Sequence, residues 1–278
     1  MLVNSLALSP SFQSLDTTSP QVAQLLKREE RRRKAEIVGG ILGKDSEEWC
    51  NSTQVQRISK DLAWMHSLSA AANDFLLQPD SHTTAAYIAW FGETNASPRW
   101  AAAIRTEIYQ NIWFIGQRPI QYAKSVEEGS HNAITFGCFP PDPVDCSEQT
   151  FAVAIDGRYI YVMLCPPYFS QVITNYDEAF VSWREKREDI NLGGLILLHE
   201  MLHQRIVVGW NGYASDHAYS AENCLNLPSS MKAKNAENYA LFALEVKANP
   251  ERAKLQVDMK SSEAKDKIAR RLLEGPVT

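Results

Sequence analysis

The sequence predicts an α+β fold, with helices before and after a small mixed or antiparallel β-sheet. Apolar residues recur every three or four positions from 55 to 77, which is typical of an amphipathic helix. The stretches 132–137, 150–155 and 158–164 are instead alternating, β-branched or aromatic, which favours strands. From residue 192 the pattern becomes helical again.

The N-terminal 45 residues are predicted to lie outside the main domain. Residues 1–20 are rich in Ser, Thr and Pro and are typical of a tail, whereas residues 21–36 favour a charged helix. The charge run at 27–34 is interpreted as a solvated helix face, with binding to an acidic partner as the alternative. The whole segment 1–45 precedes the first cysteine and is a candidate pro-segment.

Three helices are predicted in the first half of the main domain. The first, at 55–77, ends before Pro79, and the second lies at about 83–90. Ser97 and Pro98 start the third, because Ser is a favoured N-cap and Pro a favoured first helical residue. The apolar side of this third helix carries Trp100, Ile104, Ile108, Ile112 and Ile115.

A hairpin and three further helices are predicted in the second half. Asp156 and Gly157 form a two-residue turn signal between the last two strands. Helices are expected at about 192–207, 231–247 and 250–273, and the last is charged, with few apolar residues. We therefore expect that last helix to be a peripheral appendage.

Composition and charge exclude several classes of protein. A chain of 278 residues suffices for one large domain, which we place at 46–248 with a charged C-terminal segment at 249–278. The net charge of −5 argues against a nucleic-acid-binding protein. No apolar run approaches the roughly 18 residues of a membrane-spanning helix, and the N-terminus lacks the pattern of a signal peptide.

The five cysteines leave one unpaired in any full pairing, and none lies in a Cys-x-x-Cys pattern. Reduced thiols of a cytosolic protein and two disulfides with one free thiol are both compatible with this count. Two glycosylation sequons, at Asn51 and Asn95, favour a secreted protein.

Residues 199–203 carry the strongest chemical signal in the chain. His199 and His203 are four positions apart, so on a helix both imidazoles project from one face and can bind one metal ion. Glu200 lies beside them and can act as general base on a metal-bound water. This combination is typical of zinc enzymes that hydrolyse peptide bonds.

A catalytic zinc site needs a third protein ligand and one open position. The segment 213–220 offers two candidates, Asp216 through its carboxylate and His217 through its imidazole. Spacing alone does not choose between them, since an Asp in a loop is often a turn residue or a helix cap.

The pattern His199-Glu200-x-x-His203 followed by Asp216-x-x-Tyr219 resembles the aspzincin metallopeptidases, the family of deuterolysin and peptidyl-Lys metalloendopeptidase. Three further stretches resemble motifs of that family in the same order. These are residues 87–92, 159–166 and 235–242.

The resemblance implies a zincin-like fold and a zinc metalloendopeptidase with one Zn²⁺ per chain, held by His199, His203 and Asp216. It further implies that Glu200 is the general base and that Tyr219 stabilises the oxyanion of the transition state. It implies a secreted, deuterolysin-like enzyme that acts on peptide or protein substrates. We further expect a monomer with no nucleic-acid or membrane partner. An extended peptide is expected to pair with one strand of the sheet.

The resemblance also implies two disulfides, Cys50–Cys138 and Cys146–Cys165, and a free thiol at Cys224.

The sequence departs from the family pattern around the third ligand. Tyr213, Ala214 and Ser220 replace a glycine, a threonine and a second glycine of the family motif. In Lys-specific members two acidic residues bind the substrate lysine, and the matching positions here are Glu237 and Ala240. Glu237 is therefore the candidate substrate-binding residue, and specificity for lysine is not expected to carry over.

Two other functions remain open from the sequence. The altered loop at 213–220 fits a weakly active or inactive zinc-binding or interaction protein on the same scaffold. The missing signal peptide fits an intracellular zinc hydrolase with a non-peptide substrate.

Overall fold

The computed structural model describes most of the chain from residue 33 to residue 274. The described residues are 33–39, 48–115, 117, 119–129, 133–139, 146–156 and 160–274. The predictions for the tail and for most of the N-terminal charged helix fall outside them.

Within the described residues, the β-part of the fold is a mixed five-stranded sheet in the order β2-β1-β3-β5-β4. Its strands are β1 (Lys34–Val38), β2 (Gln121–Ala123), β3 (Ala133–Cys138), β4 (Ala152–Asp156) and β5 (Ile160–Leu164). All neighbours pair in parallel except β4, which is antiparallel to β5 and lies at the edge of the sheet. The α+β prediction and its hairpin are thus confirmed.

The prediction of a tail and charged helix over residues 1–45 is wrong for Lys34–Val38, which forms a strand between β2 and β3. Ile37 and Val38 are fully buried there. The charged residues before them favour a helix locally, but burial between two strands that come much later in the chain outweighs that preference. The domain therefore includes residues that the sequence analysis assigns to the tail.

Helices cover the sheet and complete the core. They are α1 (Ser52–Leu77), α2 (Ala85–Phe91), α3 (Pro98–Ala103), α4 (Gln110–Ile115), α5 (Pro166–Ser170), α6 (Tyr176–Lys186), α7 (Gly193–Met201), α8 (Arg205–Gly212), α9 (Ala221–Asn226), α10 (Ser229–Lys232), α11 (Ala236–Ala248), α12 (Pro250–Ala253) and α13 (Lys265–Glu274). Short 3₁₀ turns lie at Ser81–Thr83 and Glu93–Asn95, and a π-helical stretch, Ile104–Tyr109, joins α3 to α4.

The long helix α1 confirms the amphipathic prediction and supports α7. Gly193 and Gly194 let the start of α7 approach α1 closely, since a Cβ on Gly193 would lie 2.1 Å from Asp61 Oδ2. Asp61 is buried and accepts hydrogen bonds from Tyr168 (2.7 Å) and Tyr176 (3.0 Å). The Tyr176 hydroxyl in turn accepts the Gly194 N–H at 2.7 Å, which fixes the first turn of α7.

The helix predicted at 192–207 is two helices with a turn between them. α7 ends at Met201, and α8 begins at Arg205 after Gln204 in an extended conformation. Gln204 is fully buried, and its amide donates to the Tyr161 carbonyl at 3.2 Å. This contact ties the turn to the hairpin, and periodicity along the chain does not reveal it.

The helix predicted at 250–273 is also wrong in extent, and it is not an appendage. Only α12 and α13 are helical there, and α13 buries Ile268, Ala269 and Leu273 in the same core as the other helices. These three residues share one face of α13, so a helix with few apolar residues still docks firmly.

Two disulfides join the sheet to its surroundings, Cys50–Cys138 and Cys146–Cys165, and the Cys224 thiol is buried and free. Among the described helices, none has the length and apolar character needed to cross a membrane.

Candidate metal centre

The last turn of α7 and the residues after it bring two imidazoles together. Buried Leu197, Leu198 and Met201 form the core side of this helix. On the other side, Nε2 of His199 and Nε2 of His203 lie 3.2 Å apart. His203 lies two residues after the end of α7, and its N–H donates to the Glu200 carbonyl at 3.2 Å, so the chain continues in a 3₁₀-type turn.

The loop between α8 and α9 supplies a third donor atom. Asp216 Oδ1 lies 3.1 Å from Nε2 of His199 and 3.3 Å from Nε2 of His203. A tetrahedral zinc ion with bonds of about 2.0–2.1 Å places its ligand atoms about 3.3 Å apart, so these three atoms fit zinc in both type and spacing. Within the described residues this is the one cluster with metal-binding geometry, and His217 is exposed and outside it.

The outer nitrogen of each imidazole has a partner of its own. His199 Nδ1 lies 2.8 Å from Glu237 Oε2, and His203 Nδ1 lies 2.9 Å from the Ala214 carbonyl. An acceptor at Nδ1 places the proton on that nitrogen and leaves the Nε2 lone pair free for a metal ion. Both imidazoles are thus held in the orientation and tautomer that a metal ligand needs.

Opposite charges dominate the electrostatics of the metal-free cluster. Burial disfavours a charged His199, but hydrogen bonds to Asp216 and Glu237 outweigh it and raise the pKa of this imidazole well above its usual value. Burial likewise opposes ionisation of Asp216, yet hydrogen bonds to His199 and His203 lower the pKa of its carboxyl group. Binding of a cation at Nε2 displaces the proton that these carboxylates stabilise, so metal binding and protonation compete.

Glu200 and Tyr219 lie beside the three donor atoms. Glu200 is buried, and this burial raises the pKa of its carboxyl group, while a backbone hydrogen bond from Ala154 acts in the opposite direction. The Tyr219 ring lies 6.0 Å from the His199 ring and is 64% exposed. Partial burial and the nearby Asp216 raise the pKa of Tyr219 to about 12, so its hydroxyl remains a hydrogen-bond donor at neutral pH.

A cleft of about 840 Å³ opens over the cluster. One wall is the edge strand β4, from which Ala152, Val153, Ala154 and Asp156 line the cleft. The cluster residues line the same cleft, and Arg205, Tyr213 and Glu237 are among its other lining residues. Among the described residues β4 pairs only with β5, and an unpaired strand edge of this kind is suited to an extended peptide.

Residues 76–244, more than half of the chain, match the family model of lysine-specific metallo-endopeptidases, aspzincin M35. The chain belongs to the aspzincin family. A solved zinc peptidase from Grifola frondosa is similar to this aspzincin, with 19% identity, a TM-score of 0.45, and coverage of 73% of this chain and 99% of the other. No curated protein matches the chain.

In this aspzincin, Asn235 fixes the loop that carries Asp216 and Tyr219 through hydrogen bonds to the loop backbone. Asn235 is fully buried, and its side-chain oxygen accepts the N–H groups of His217 (2.7 Å) and Ala218 (3.1 Å). Its amide nitrogen donates to the Ala218 carbonyl at 2.9 Å. The loop keeps a defined backbone through these contacts although it lacks the glycines and threonine of the family motif.

Each predicted site residue of the aspzincin has a definite place. His199, Glu200, His203, Asp216 and Tyr219 converge, and the four cysteines form the two implied disulfides. Glu237 lines the cleft, but its carboxylate is bonded to His199 and does not stand free for a substrate side chain. Ala240 is fully buried.

Sequence reasoning missed the supporting roles of Ala214 and Asn235. Ala214 acts through its backbone carbonyl, so its residue type gives no indication of this role. Asn235 lies within the stretch 235–242 that resembles a family motif, and this was the only signal for it.

Proposed function

We propose that this aspzincin is a zinc endopeptidase with His199, His203 and Asp216 as metal ligands and Glu200 as general base. The observation that carries the proposal is the group of three donor atoms 3.1–3.3 Å apart, with Glu200 buried beside it under an open cleft. A zinc ion held there supplies a Lewis acid that acidifies water and polarises the scissile carbonyl.

Glu200 moves the proton in this mechanism. Its carboxylate accepts the proton of the attacking water and delivers it to the amine that leaves. Burial raises the pKa of Glu200, which brings it nearer to the working pH and favours both halves of the transfer.

Tyr219 is proposed to stabilise the developing oxyanion through its hydroxyl. The ring stands at the mouth of the cleft and is exposed, so it can approach a substrate carbonyl. Because its pKa is raised, the hydroxyl keeps its proton and can donate it in a hydrogen bond.

The substrate is proposed to bind as an added strand along β4. This strand pairs with β5 on one side, and its other edge faces the cleft. Main-chain hydrogen bonds to such an edge accept many sequences, so side-chain pockets set the preference. Glu237 is engaged with His199 and Ala240 replaces the second acid, which supports a preference other than lysine.

Secretion is proposed together with this activity. Two disulfides join residues of the domain, and disulfides persist in oxidising compartments. The detection of the protein in culture medium or in the secretory pathway, with both disulfides intact by mass analysis, tests this point.

The decisive experiment compares wild-type protein with Glu200→Ala and Glu200→Gln. We expect one zinc ion per chain in all three by elemental analysis, because Glu200 is not a ligand. Cleavage of casein by the variants should fall by roughly 10² to 10⁴-fold, the usual contribution of a general base. Wild-type protein that binds zinc yet cuts no faster than Glu200→Ala would instead identify a non-catalytic zinc-binding protein.

A further inference from the structure

Arg205 lies at one end of the cleft against two aromatic rings. Its guanidinium carbon is 4.4 Å from the centre of the Trp210 ring and 4.6 Å from that of Tyr213. Such cation–π contacts restrict the side chain to few conformations. The guanidinium is therefore held in place before any ligand arrives.

The polar groups of Arg205 are poorly satisfied within the described residues. Its guanidinium forms an ion pair with Asp156, but Nη1 lies 3.7 Å from Asp156 Oδ2, which is too far for a hydrogen bond. That oxygen instead accepts the backbone N–H of Arg205 at 3.2 Å. Among the described residues, Nε of Arg205 has no hydrogen-bond partner, and it is buried. The side chain as a whole is 40% exposed, so a ligand in the cleft reaches the guanidinium through its terminal nitrogens, which can donate to two acceptor oxygens.

A carboxylate is the group that best satisfies such a guanidinium. Arg has its donors in a planar fork that matches the two oxygens of a carboxylate, and the charge strengthens both hydrogen bonds. The Arg205 side chain is 40% exposed and lines the cleft, so a substrate group can reach it. Asp156 Oδ2 accepts the Arg205 backbone N–H, so this oxygen is already engaged within the protein.

The position of Arg205 assigns this site to one side of the scissile bond. Glu200 takes a hydrogen bond from Ala154, whereas Arg205 contacts Asp156, the last residue of β4. Two residues along a strand span about 7 Å. A substrate strand antiparallel to β4 runs in the opposite direction, so its residues N-terminal to the scissile bond lie near Asp156. The Tyr213 ring contacts Arg205, and its centre lies 6.3 Å from the centre of the His203 ring.

We propose that Arg205, Trp210 and Tyr213 form a subsite that binds an acidic side chain within the three substrate residues N-terminal to the scissile bond. This subsite rests on the proposed peptidase function, because it is defined by the bond that is cut. Trp210 is 79% exposed and contributes an apolar face against which the stem of a glutamate side chain packs.

The test uses blocked peptides that differ only in one residue, Glu, Gln or Lys, at each of these three positions. Cleavage sites are read by mass spectrometry, and kcat/KM is measured for every peptide. For wild-type protein we expect Glu to exceed Lys by about tenfold or more at one position, the usual effect of a charge-assisted hydrogen bond. Arg205→Glu should reverse this order, and Arg205→Met should make the three peptides equal.

Arg184→Glu is the matched control, since Arg184 is exposed on α6 and does not line the cleft. It should leave the Glu-to-Lys ratio unchanged. Circular dichroism and zinc content of each variant establish that it is folded and loaded, and the wild-type ratio tests the subsite even if a variant does not fold.

Two negative results have different meanings. Wild-type protein that cleaves casein but has equal kcat/KM for Glu, Gln and Lys overturns the subsite alone, as does an Arg205→Glu variant with the wild-type ratio. Wild-type protein that cleaves neither casein nor any peptide refutes the peptidase function, and the subsite with it.

Discussion

The two halves of the metal centre are built in different ways. His199, Glu200 and His203 belong to a helix and its last turn, and this segment is packed against α1 through Gly193 and Gly194. Asp216 and Tyr219 belong to a loop without regular structure, whose backbone N–H groups at His217 and Ala218 donate to Asn235, the N-cap of α11.

The geometry of the helical half depends on residues close together in the sequence, whereas that of the loop half depends on contacts with distant residues. The helical half needs only the spacing of side chains on α7 and a buried face to orient them. The loop half has no such periodicity, so its geometry depends on acceptors that other elements provide. The two halves are joined where Glu237 of α11 contacts His199 and the Ala214 carbonyl contacts His203. Substitutions in the two halves should therefore affect different quantities: zinc affinity for a ligand, kcat for a catalytic residue, and smaller changes in affinity or stability for a residue that positions them.

Loss of a ligand from either half should have the largest effect. We expect His203→Ala and Asp216→Ala each to lower zinc affinity by more than the roughly 100-fold that loss of an outer hydrogen bond causes. Competition with a chelator of known affinity measures this. His217→Ala is the control in the same loop and should bind zinc as wild type does. Wild-type affinity in Asp216→Ala would remove the loop from the metal site.

Tyr219→Phe should have the next largest effect, and it should act on catalysis alone. Removal of one oxyanion donor lowers kcat by roughly 10² to 10³-fold. Zinc affinity should stay unchanged, because the hydroxyl is not among the three donor atoms. The exposed Tyr122 of β2 provides a control variant, Tyr122→Phe, with wild-type kcat. An unchanged kcat in Tyr219→Phe would show that the loop half supplies only a ligand.

Glu237→Gln should weaken the link between the halves. The amide keeps the shape of the side chain but loses the charge that orients His199, so zinc affinity should fall by roughly 10 to 100-fold. Glu222→Gln, at an exposed position on α9, is the matched control. If Glu237→Gln instead changes only the preference among substrates, then Glu237 belongs to the substrate pocket that the family resemblance implies.

Asn235→Ala should have the smallest effect on zinc, less than the roughly tenfold lower bound for outer hydrogen bonds. Its effect should appear in stability, because two backbone N–H groups of the loop lose their acceptor. We expect the free energy of unfolding to fall by about 2–3 kcal/mol, measured by urea denaturation of the zinc-free protein. Unchanged stability would mean that the loop keeps its shape without α11.

The sequence predicts what depends on neighbouring residues and fails where distant contacts decide. The helix at 55–77, the hairpin at Asp156 and the grouping of His199 with His203 follow from spacing alone. The choice of Asp216 as third ligand depended on the family resemblance, because a loop residue belongs to no periodic pattern.

Two of the errors share one physical cause. Lys34–Val38 looks helical by its charges and is a strand because β2 and β3 bury it. The helix predicted at 192–207 breaks where Gln204 bonds to the hairpin. In each case a partner far along the chain outweighs local preference, and one sequence does not reveal that partner.

The position of β1 in the middle of the sheet has a consequence for biosynthesis. This strand leaves the ribosome before the strands on both of its sides, β2 and β3, which end only at Ala123 and Cys138. Until they are made, both edges of β1 lack partners, and such edges are prone to pair with other chains. Pairing over this separation also raises contact order and slows folding. The edges of β1 are therefore open to such pairing during the interval in which about a hundred residues are added at roughly 5–20 residues per second.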